Sequence, residues 1–329
     1  MKISVLLCTY NGEKYIQEQL SSIINQSKMV DEIIVSDDCS RDHTIKKVEE
    51  FAQNCKINIK INSNSLNTGF KKNFYNGLSF CSGDIIFFSD QDDVWEYRKV
   101  EKIINLFESN NKALLVFSDA FVTNEKLEFK SHLLKDVRYN DNFMIDSKSQ
   151  LNMLLADNFI TGATMAIRKE LISLATPFGM EWPHDYWLGI IAAINNGLYC
   201  INEPLIKYRQ HASNAIGINK KYGFSQVRKL FSHKELSSNR ENKYAELRLP
   251  QLSYLIEFLQ QKNNDDYIGI ARDYYEYWNR RIVFKEQGLI ANCKIVLIDF
   301  LKKEQYKHRN TTHPVLKDLI KAIALAKRK

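Results

Sequence analysis

Three carboxylates fall within four residues at Asp90-Gln91-Asp92-Asp93, directly after the apolar run Ile85-Ile86-Phe87-Phe88. Such crowding is costly through like-charge repulsion unless a cation relieves it. Hard carboxylate oxygens suit Mg²⁺ or Mn²⁺, which keep open positions for substrate phosphates. The plain alternative is that Asp92 or Asp93 caps the helix that follows Trp95. A second acidic pair, Asp37-Asp38, ends another apolar run. It either accepts hydrogen bonds from a nucleotide base or ribose, or forms an Asx turn before a helix starting near Ser40 and Asp42. In His184-Asp185 the carboxylate either steadies a helix N-terminus or acts as a general base on an attacking hydroxyl. Arg209 suits neutralisation of a diphosphate. His211, two residues on, is either a satisfied core histidine or a site residue. Together these groups sketch a nucleotide–metal–diphosphate site.

The elements that must position them alternate along the first 120 residues. Short apolar runs without helical period mark strands at 2–8, 32–36, 56–61, 84–89 and 113–117, the pattern of strands buried on both faces. Helices fit 14–26, 43–54, 70–80 and 97–109; in the first, Ile16, Leu20, Ile23 and Ile24 form one apolar stripe. Five such units imply a mainly parallel, doubly wound sheet, which binds ligands at the carboxyl ends of its strands. The loops there hold Thr9-Tyr10-Asn11, Asp37-Asp38, Asp90 to Asp93 and Ser118-Asp119. Residues 121–150 read as a polar, mobile connection. A second block, 151–211, carries a short helix near 168–175, another from His184 to about 196, and a strand at 204–211. Beyond 221 the chain reads as helices rich in Tyr, Lys and Arg.

The chain has 329 residues, 44% hydrophobic and 26% charged, which excludes wholesale disorder and collagen-like repeats. No GxGxxG, GxxxxGK[ST], HExxH or GxSxG run is present, removing the simple dinucleotide, P-loop, zincin and hydrolase assignments. Cys8, Cys39, Cys55, Cys81, Cys200 and Cys293 make no CxxC or zinc spacing, so free thiols in a cytoplasmic protein are expected. No secretory signal and no transmembrane run of roughly 20 apolar residues is expected either.

The motifs Cys8-Thr9-Tyr10-Asn11-Gly12, Asp37-Asp38-Cys39-Ser40, Asn67-Thr68-Gly69-Phe70-Lys71-Lys72-Asn73-Phe74, Ser89-Asp90-Gln91-Asp92-Asp93-Val94-Trp95, Thr161-Gly162-Ala163-Thr164-Met165, His184-Asp185-Tyr186-Trp187-Leu188 and Tyr208-Arg209-Gln210-His211 occur in this order. In that series the chain resembles glycosyltransferase family 2, and more narrowly the rhamnosyltransferase-like branch that builds bacterial surface polysaccharides such as O-antigen or capsule. The resemblance covers roughly residues 1–217. It implies a GT-A nucleotide-diphospho-sugar transferase fold, α/β with a Rossmann-like sheet, and an inverting sugar transfer. It also implies a nucleotide-sugar site at Thr9, Tyr10, Asn11, Asp38, Lys72, Asn73, Asp90, Gln91 and Arg209. By the same resemblance Asp92 and His211 take a divalent metal, Mg²⁺ or Mn²⁺, and Asp185 is the catalytic base. The family's common glutamate-aspartate pair is His184-Asp185 here, so the base rests on Asp185 alone, and the extended acidic run leaves Asp92 and Asp93 as competing metal ligands. The donor sugar expected from the branch is L-rhamnose carried by dTDP, with a UDP-hexose or UDP-N-acetylhexosamine as the alternative and a silent nucleotide-sugar-binding protein behind both. The acceptor expected is a saccharide, lipid-linked.

The net charge of +7 is unevenly placed: residues 1–220 carry −3 and residues 221–329 carry +10. The resulting division is a catalytic domain over 1–217, with a nucleotide-sugar half at 1–120 and an acceptor half at 151–217, and a basic helical region over 218–329. The basic residues are dispersed among apolar positions, which argues against nucleic acid as the partner. Two readings of the tail stand side by side. Runs such as Leu319-Ile320 and Ile323-Ala324-Leu325-Ala326 before Lys327-Arg328-Lys329 suit an anionic membrane surface on the inner face of the cytoplasmic membrane. The other is a helical bundle packed on the catalytic domain, with a homodimer interface.

Overall fold

The computed structural model describes residues 1–137, 139–141, 145–212, 240–283 and 289–301. Its contacts divide into two units, Met1–Ser147 with Asn158–Ile218, and Lys148–Asp157 with Asn219–Lys329.

The first unit is built on one nine-stranded sheet. Strand β1 (Ile3–Thr9) is buried along its whole length and pairs in parallel with β2 (Glu32–Asp37) on one side and β4 (Ile85–Asp90) on the other. Strand β3 (Asn58–Ser63) continues the parallel run beside β2. The absence of period-2 polarity in β1, β2 and β4 follows from helices on both faces. Helix α1 (Ile16–Ile24) lays fully buried Ile16, Leu20 and Ile23 on the sheet. Helices α2 (Thr44–Gln53), α3 (Phe70–Leu78) and α4 (Lys99–Ser109) complete the crossovers. The register sets Cys8 opposite both Ser36 and Asp90, which brings the loops after β1, β2 and β4 to one sheet edge.

The fifth long strand departs from a simple doubly wound order. Strand β6 (Leu115–Thr123) does not lie beside β4. Between them comes β8 (Met165–Arg168), antiparallel to both, and β6 pairs in parallel with β9 (Leu198–Arg209), which carries the short β5 (Val94–Trp95) on its far edge. A short apolar run encodes burial but not its neighbour, so the insertion of β8 was not legible from periodicity. The expected polar connection after 120 is also more ordered than its composition suggests. It holds β7 (Phe129–His132), paired with the end of β6, then α5 (Leu133–Asp136) and α6 (Ser147–Ala156). The second block supplies the turn Gly162–Thr164, α7 (Glu170–Leu174) and α8 (His184–Ile194).

The second unit joins α6 to three helices, α9 (Arg240–Gln261), α10 (Asp265–Val283) and α11 (Leu289–Leu301). Arg248 is buried and donates Nη2–H to Leu155 O at 2.5 Å, and Tyr274 OH donates to Asn152 O at 2.8 Å, so polar side chains fasten the C-terminal end of α6 to the later helices. Among the described residues no helix is long and apolar enough to cross a membrane. The amphipathic run at 319–329 and the boundary at 217 lie outside the described residues.

Hydrogen bonds from a charged donor contribute about 1.5–3 kcal/mol. Substituting Arg248→Ala is therefore expected to speed amide exchange along α6 by about 10- to 100-fold, while β1 and β4 keep wild-type protection.

Candidate active site

At the donor-side edge, several expected ligand residues bind the protein itself. Thr9 is buried and gives its hydroxyl proton to Asp37 Oδ1 at 2.7 Å. Asp37 also accepts the Ser40 N–H and hydroxyl, which closes the turn after β2. Asp38 Oδ1 accepts from Asn64 Nδ2, Thr68 N and Thr68 Oγ1, and its Oδ2 accepts Gly69 N at 2.7 Å. Burial alone would raise the Asp38 pKa, but these bonds outweigh it and hold the group below the usual carboxylate range. Asp38 thus fixes the 64–69 loop and keeps acceptor capacity on Oδ2. Asn73, buried on α3, donates to Ser36 O and accepts from Ser36 Oγ at 2.8 Å and Asn64 Nδ2 at 3.0 Å. Lys72 is exposed, as is the Tyr10 ring.

The loop after β1 is locked to the acidic loop through its backbone. Gln91 accepts Tyr10 N–H at 2.8 Å and donates back to Tyr10 O at 3.0 Å. A Cβ at Gly12 would lie 2.1 Å from Gln91 Oε1, so any larger residue there would push the Gln91 side chain aside. Asn11, in the left-handed region at φ 48°, donates its N–H to Ser40 Oγ and accepts Arg41 N–H. Thr9, Tyr10, Asn11 and Gln91 are therefore brought together at one edge, chiefly by main-chain contacts.

Three carboxylates of the acidic loop have three different environments. Asp93 is fully buried, accepts Arg209 N–H on Oδ1 at 2.9 Å and has no partner on Oδ2; burial, then the charges of Asp92 and Asp90, push its pKa well above the usual value. Asp92 points the other way, with Oδ2 2.8 Å from His211 Nε2. Asp90 sits at the end of β4, its pKa pushed up to about 7 by burial first and then by the charges of Asp92 and Asp185. Asp90 thus feels both ends of the site.

Arg209 does not stand as an open cation over the site. It is 3% exposed, with Nε donating to Asp92 O at 2.7 Å, Nη1 to Glu125 O at 2.6 Å and Nη2 to Glu18. Its guanidinium lies 4.5 Å from the centre of the Tyr15 ring, which also packs 5.0 Å from the His211 ring. The arginine expected to meet a diphosphate instead clamps the backbone that presents Asp92, because fixing a crowded acidic loop needs an internal cation.

Asp185 lies in the first turn of α8, where the helix dipole favours a carboxylate. It accepts Tyr186 N–H at 2.8 Å and also takes hydrogen bonds from Gly162 N–H and the Asn158 side chain. Burial exceeds these and raises its pKa to about 6. His184 is 8% exposed, stacked 4.0 Å from Phe74 and 5.6 Å from Phe88, with neither ring nitrogen partnered. Burial lowers its pKa to about 3, so the imidazole beside the carboxylate is neutral at physiological pH. Gly162 leaves room for it, since a Cβ there would lie 2.7 Å from His184 Nε2.

The residues present fit a hard divalent cation. Two ligand atoms held at about 2.1 Å and at right angles around one ion lie about 3 Å apart, close to the Asp92 Oδ2–His211 Nε2 separation of 2.8 Å. Among the described residues no group of three His, Cys, Asp or Glu side chains surrounds one point. An ion held there would rely on water and phosphate oxygens for its remaining positions, as Mg²⁺ commonly does. Asp93, turned inward to the β9 backbone, is not placed to share it.

Some contributors escaped sequence reading. Tyr15 and Glu125 support Arg209 and carry no motif signal. Ser118-Asp119, expected at the site edge, serves the β6–β7 hairpin, with Asp119 accepting Leu134 N–H at 2.9 Å and facing His132 Nδ1 at 2.6 Å. Lys99 is buried behind the acidic loop, and its place four residues before core Ile103 was a usable sign.

A family model for glycosyl transferase family 2 matches residues 4–173. The dTDP-rhamnosyl transferase RfbG of Shigella flexneri is 31% identical over 231 residues, covering 65% of this chain and 74% of its own. The UDP-Glc:alpha-D-GlcNAc-diphosphoundecaprenol beta-1,3-glucosyltransferase WfgD of Escherichia coli is 28% identical over 286 residues, 84% of this chain and 97% of its own. The mannosyltransferase PcManGT from Pyrobaculum calidifontis, solved in complex with GDP-Man and Mn²⁺, superposes with a TM-score of 0.50 at 15% identity over 99% of this chain and 87% of its own. The GT-A architecture expected from the motifs is the one the chain adopts.

Removing the Asn73 side chain leaves the buried Ser36 carbonyl without its donor and the Ser36 hydroxyl with only the main-chain carbonyl of residue 73, a loss of about 1–3 kcal/mol. Asn73→Ala is expected to lower the unfolding midpoint accordingly, read by denaturant titration. Were Asp185 the base that the resemblance implies, a pKa of about 6 would require it to be ionised to work. The turnover rate of the purified protein should therefore fall tenfold per pH unit below about 6; a flat profile down to pH 5 would contradict this assignment.

Proposed function

The chain belongs to glycosyl transferase family 2 and is a glycosyltransferase with a nucleotide-sugar donor; from that premise we propose an inverting, metal-assisted transfer with Asp185 as the base. The observation that carries this reading is that Asp92, 2.8 Å from His211, and Asp185, hydrogen-bonded in the first turn of α8, both lie near enough to Asp90 for their charges to raise its pKa. On this reading Asp92 would be the cation-holding group and Asp185 the base, both near Asp90 at the end of β4, the sheet edge where this class of fold binds its ligands.

The acceptor hydroxyl gives its proton to Asp185 as its oxygen attacks the anomeric carbon. The bond from that carbon to the donor phosphate breaks, and the electron pair leaves with the nucleoside diphosphate. Attack from the face opposite the leaving group inverts the anomeric centre. Asp92 and His211 would hold the divalent metal, Mg²⁺ or Mn²⁺, which when bound acts as a Lewis acid on diphosphate oxygens. Arg209 fixes the Asp92 main chain, and the Gly162 N–H and Asn158 orient the base. The base contributes on the order of 10²–10⁴ in rate. The Thr9 to Asn11 loop, Asp38 through its Oδ2, Lys72, Asp90 and Gln91 form the edge that receives the nucleotide. Asn73 acts there by holding α3 against β2.

For the donor, the likeness to a dTDP-rhamnosyl transferase favours L-rhamnose from dTDP-rhamnose. The longer match to a UDP-glucose-dependent enzyme supports a UDP-hexose as the second reading. The name of that relative includes a diphosphoundecaprenol acceptor, which favours a lipid-linked saccharide here and a place in surface-polysaccharide synthesis, O-antigen or capsule. Residues 1–217 would then be the catalytic domain, and the basic 218–329 region the part that meets the inner membrane surface or a second copy of the chain.

Asp185→Asn is expected to lower turnover at least 100-fold while donor binding survives; turnover within a few-fold of wild type would remove the base assignment. Asp92→Ala is expected to abolish the Mg²⁺- or Mn²⁺-dependent part of nucleotide-sugar affinity, measured calorimetrically with and without cation. A thermal-shift series of dTDP-rhamnose, UDP-glucose and UDP-N-acetylglucosamine with Mg²⁺ separates the two donor readings. A donor at 100 times its Kd stabilises the folded state by about 2.7 kcal/mol.

A further inference from the structure

Lys99 opens α4 and is completely buried, an uncommon place for an ammonium group unless it has partners. Its Nζ donates to Ala163 O at 2.7 Å and lies 4.1 Å from the centre of the Trp95 ring. Burial pulls its pKa down to about 7, while the nearby carboxylates of Asp93 and Asp90 favour its charged form. The carbonyl it holds belongs to the Gly162–Thr164 turn. The residue before that carbonyl is Gly162, whose N–H supports Asp185. One side chain therefore links Trp95, two residues beyond the acidic loop, to the turn whose Gly162 N–H supports Asp185.

We propose that Lys99 is a positioning residue for the transfer, acting as the internal counter-ion of the acidic loop and as the anchor of the turn that orients Asp185. A neutral apolar residue would fill the same volume without the desolvation cost, so the retained charge points to an electrostatic task. Asp93 is too enclosed to reach an external cation, and Asp90 lies between the two ends of the site. Lys99 offsets their repulsion from inside the sheet. Its positive charge acts on Asp93 and Asp90, the neighbours of Asp92, and so opposes a cation held at Asp92 and His211. Removing the Lys99 charge should therefore tighten cation binding while loosening the turn beneath the base, a combination that simple structural damage does not produce. The cation half of this inference rests on the metal reading proposed above; the anchor half does not.

The test uses the full chain with Mn²⁺ alone as probe. Lys99→Met removes both charge and hydrogen bond, whereas Lys99→Gln removes the charge and keeps a donor. Calorimetric titration is expected to show Mn²⁺ bound about fivefold more tightly, or better, by both variants. Amide exchange over residues 161–165 is expected to rise at least tenfold in the Met variant and less in the Gln variant. Mn²⁺ affinity within twofold of wild type in a folded variant would overturn the counter-ion role. Unchanged exchange at 161–165 in the Met variant would overturn the anchor. If the Met variant does not fold, the Gln variant still decides the charge effect. If the wild-type chain binds no Mn²⁺, the metal reading fails separately, and exchange still judges the Ala163 bond.

Discussion

Charge repulsion at the end of β4 is the constraint from which the rest of this site follows. Asp90, Asp92 and Asp93 fall within four consecutive positions, and the fold buries one of them completely. Such an arrangement persists only where cations and donors are built around it. Arg209 supplies its backbone N–H to Asp93 and its guanidinium to Asp92 O, so the last strand of the sheet is pinned by the loop it must face. Lys99 meets the same loop from within the helix that follows. Asp92 turns instead to His211, with Oδ2 2.8 Å from Nε2.

The same division between inward and outward groups governs the donor side. Asp37 and Asp38 are adjacent, yet both are drawn into the protein, one closing its own turn and the other holding the loop before α3. A carboxylate that accepts several N–H bonds rigidifies a loop at the cost of freedom to bind ligand. That edge of the sheet is thus shaped chiefly by backbone held in place by Asp37, Asp38, Asn73 and Gln91. Asp185 is treated differently. Burial raises Asp185 toward neutrality, and the neighbouring neutral His184, packed against Phe74 and Phe88, adds no charge that would pull it down again.

The sequence by itself determined the parts that depend on local pattern. Apolar runs without polar alternation placed β1, β2 and β4 to within a residue or two, and the strand-end loops marked the ligand edge. The spacing of carboxylates identified where charge collects. Tertiary structure alone decided which carboxylate faces inward, because successive residues in a tight loop point in different directions and only a partner on β9 selects among them. It alone decided that β8 runs between β4 and β6, since strand neighbours are chosen by packing of the whole sheet. It also turned Arg209 from an expected ligand into an internal clamp. A side chain's type states which bonds it can make; the groups that surround it, brought from 84 to 191 residues away in the case of Arg209, decide which of them it does make.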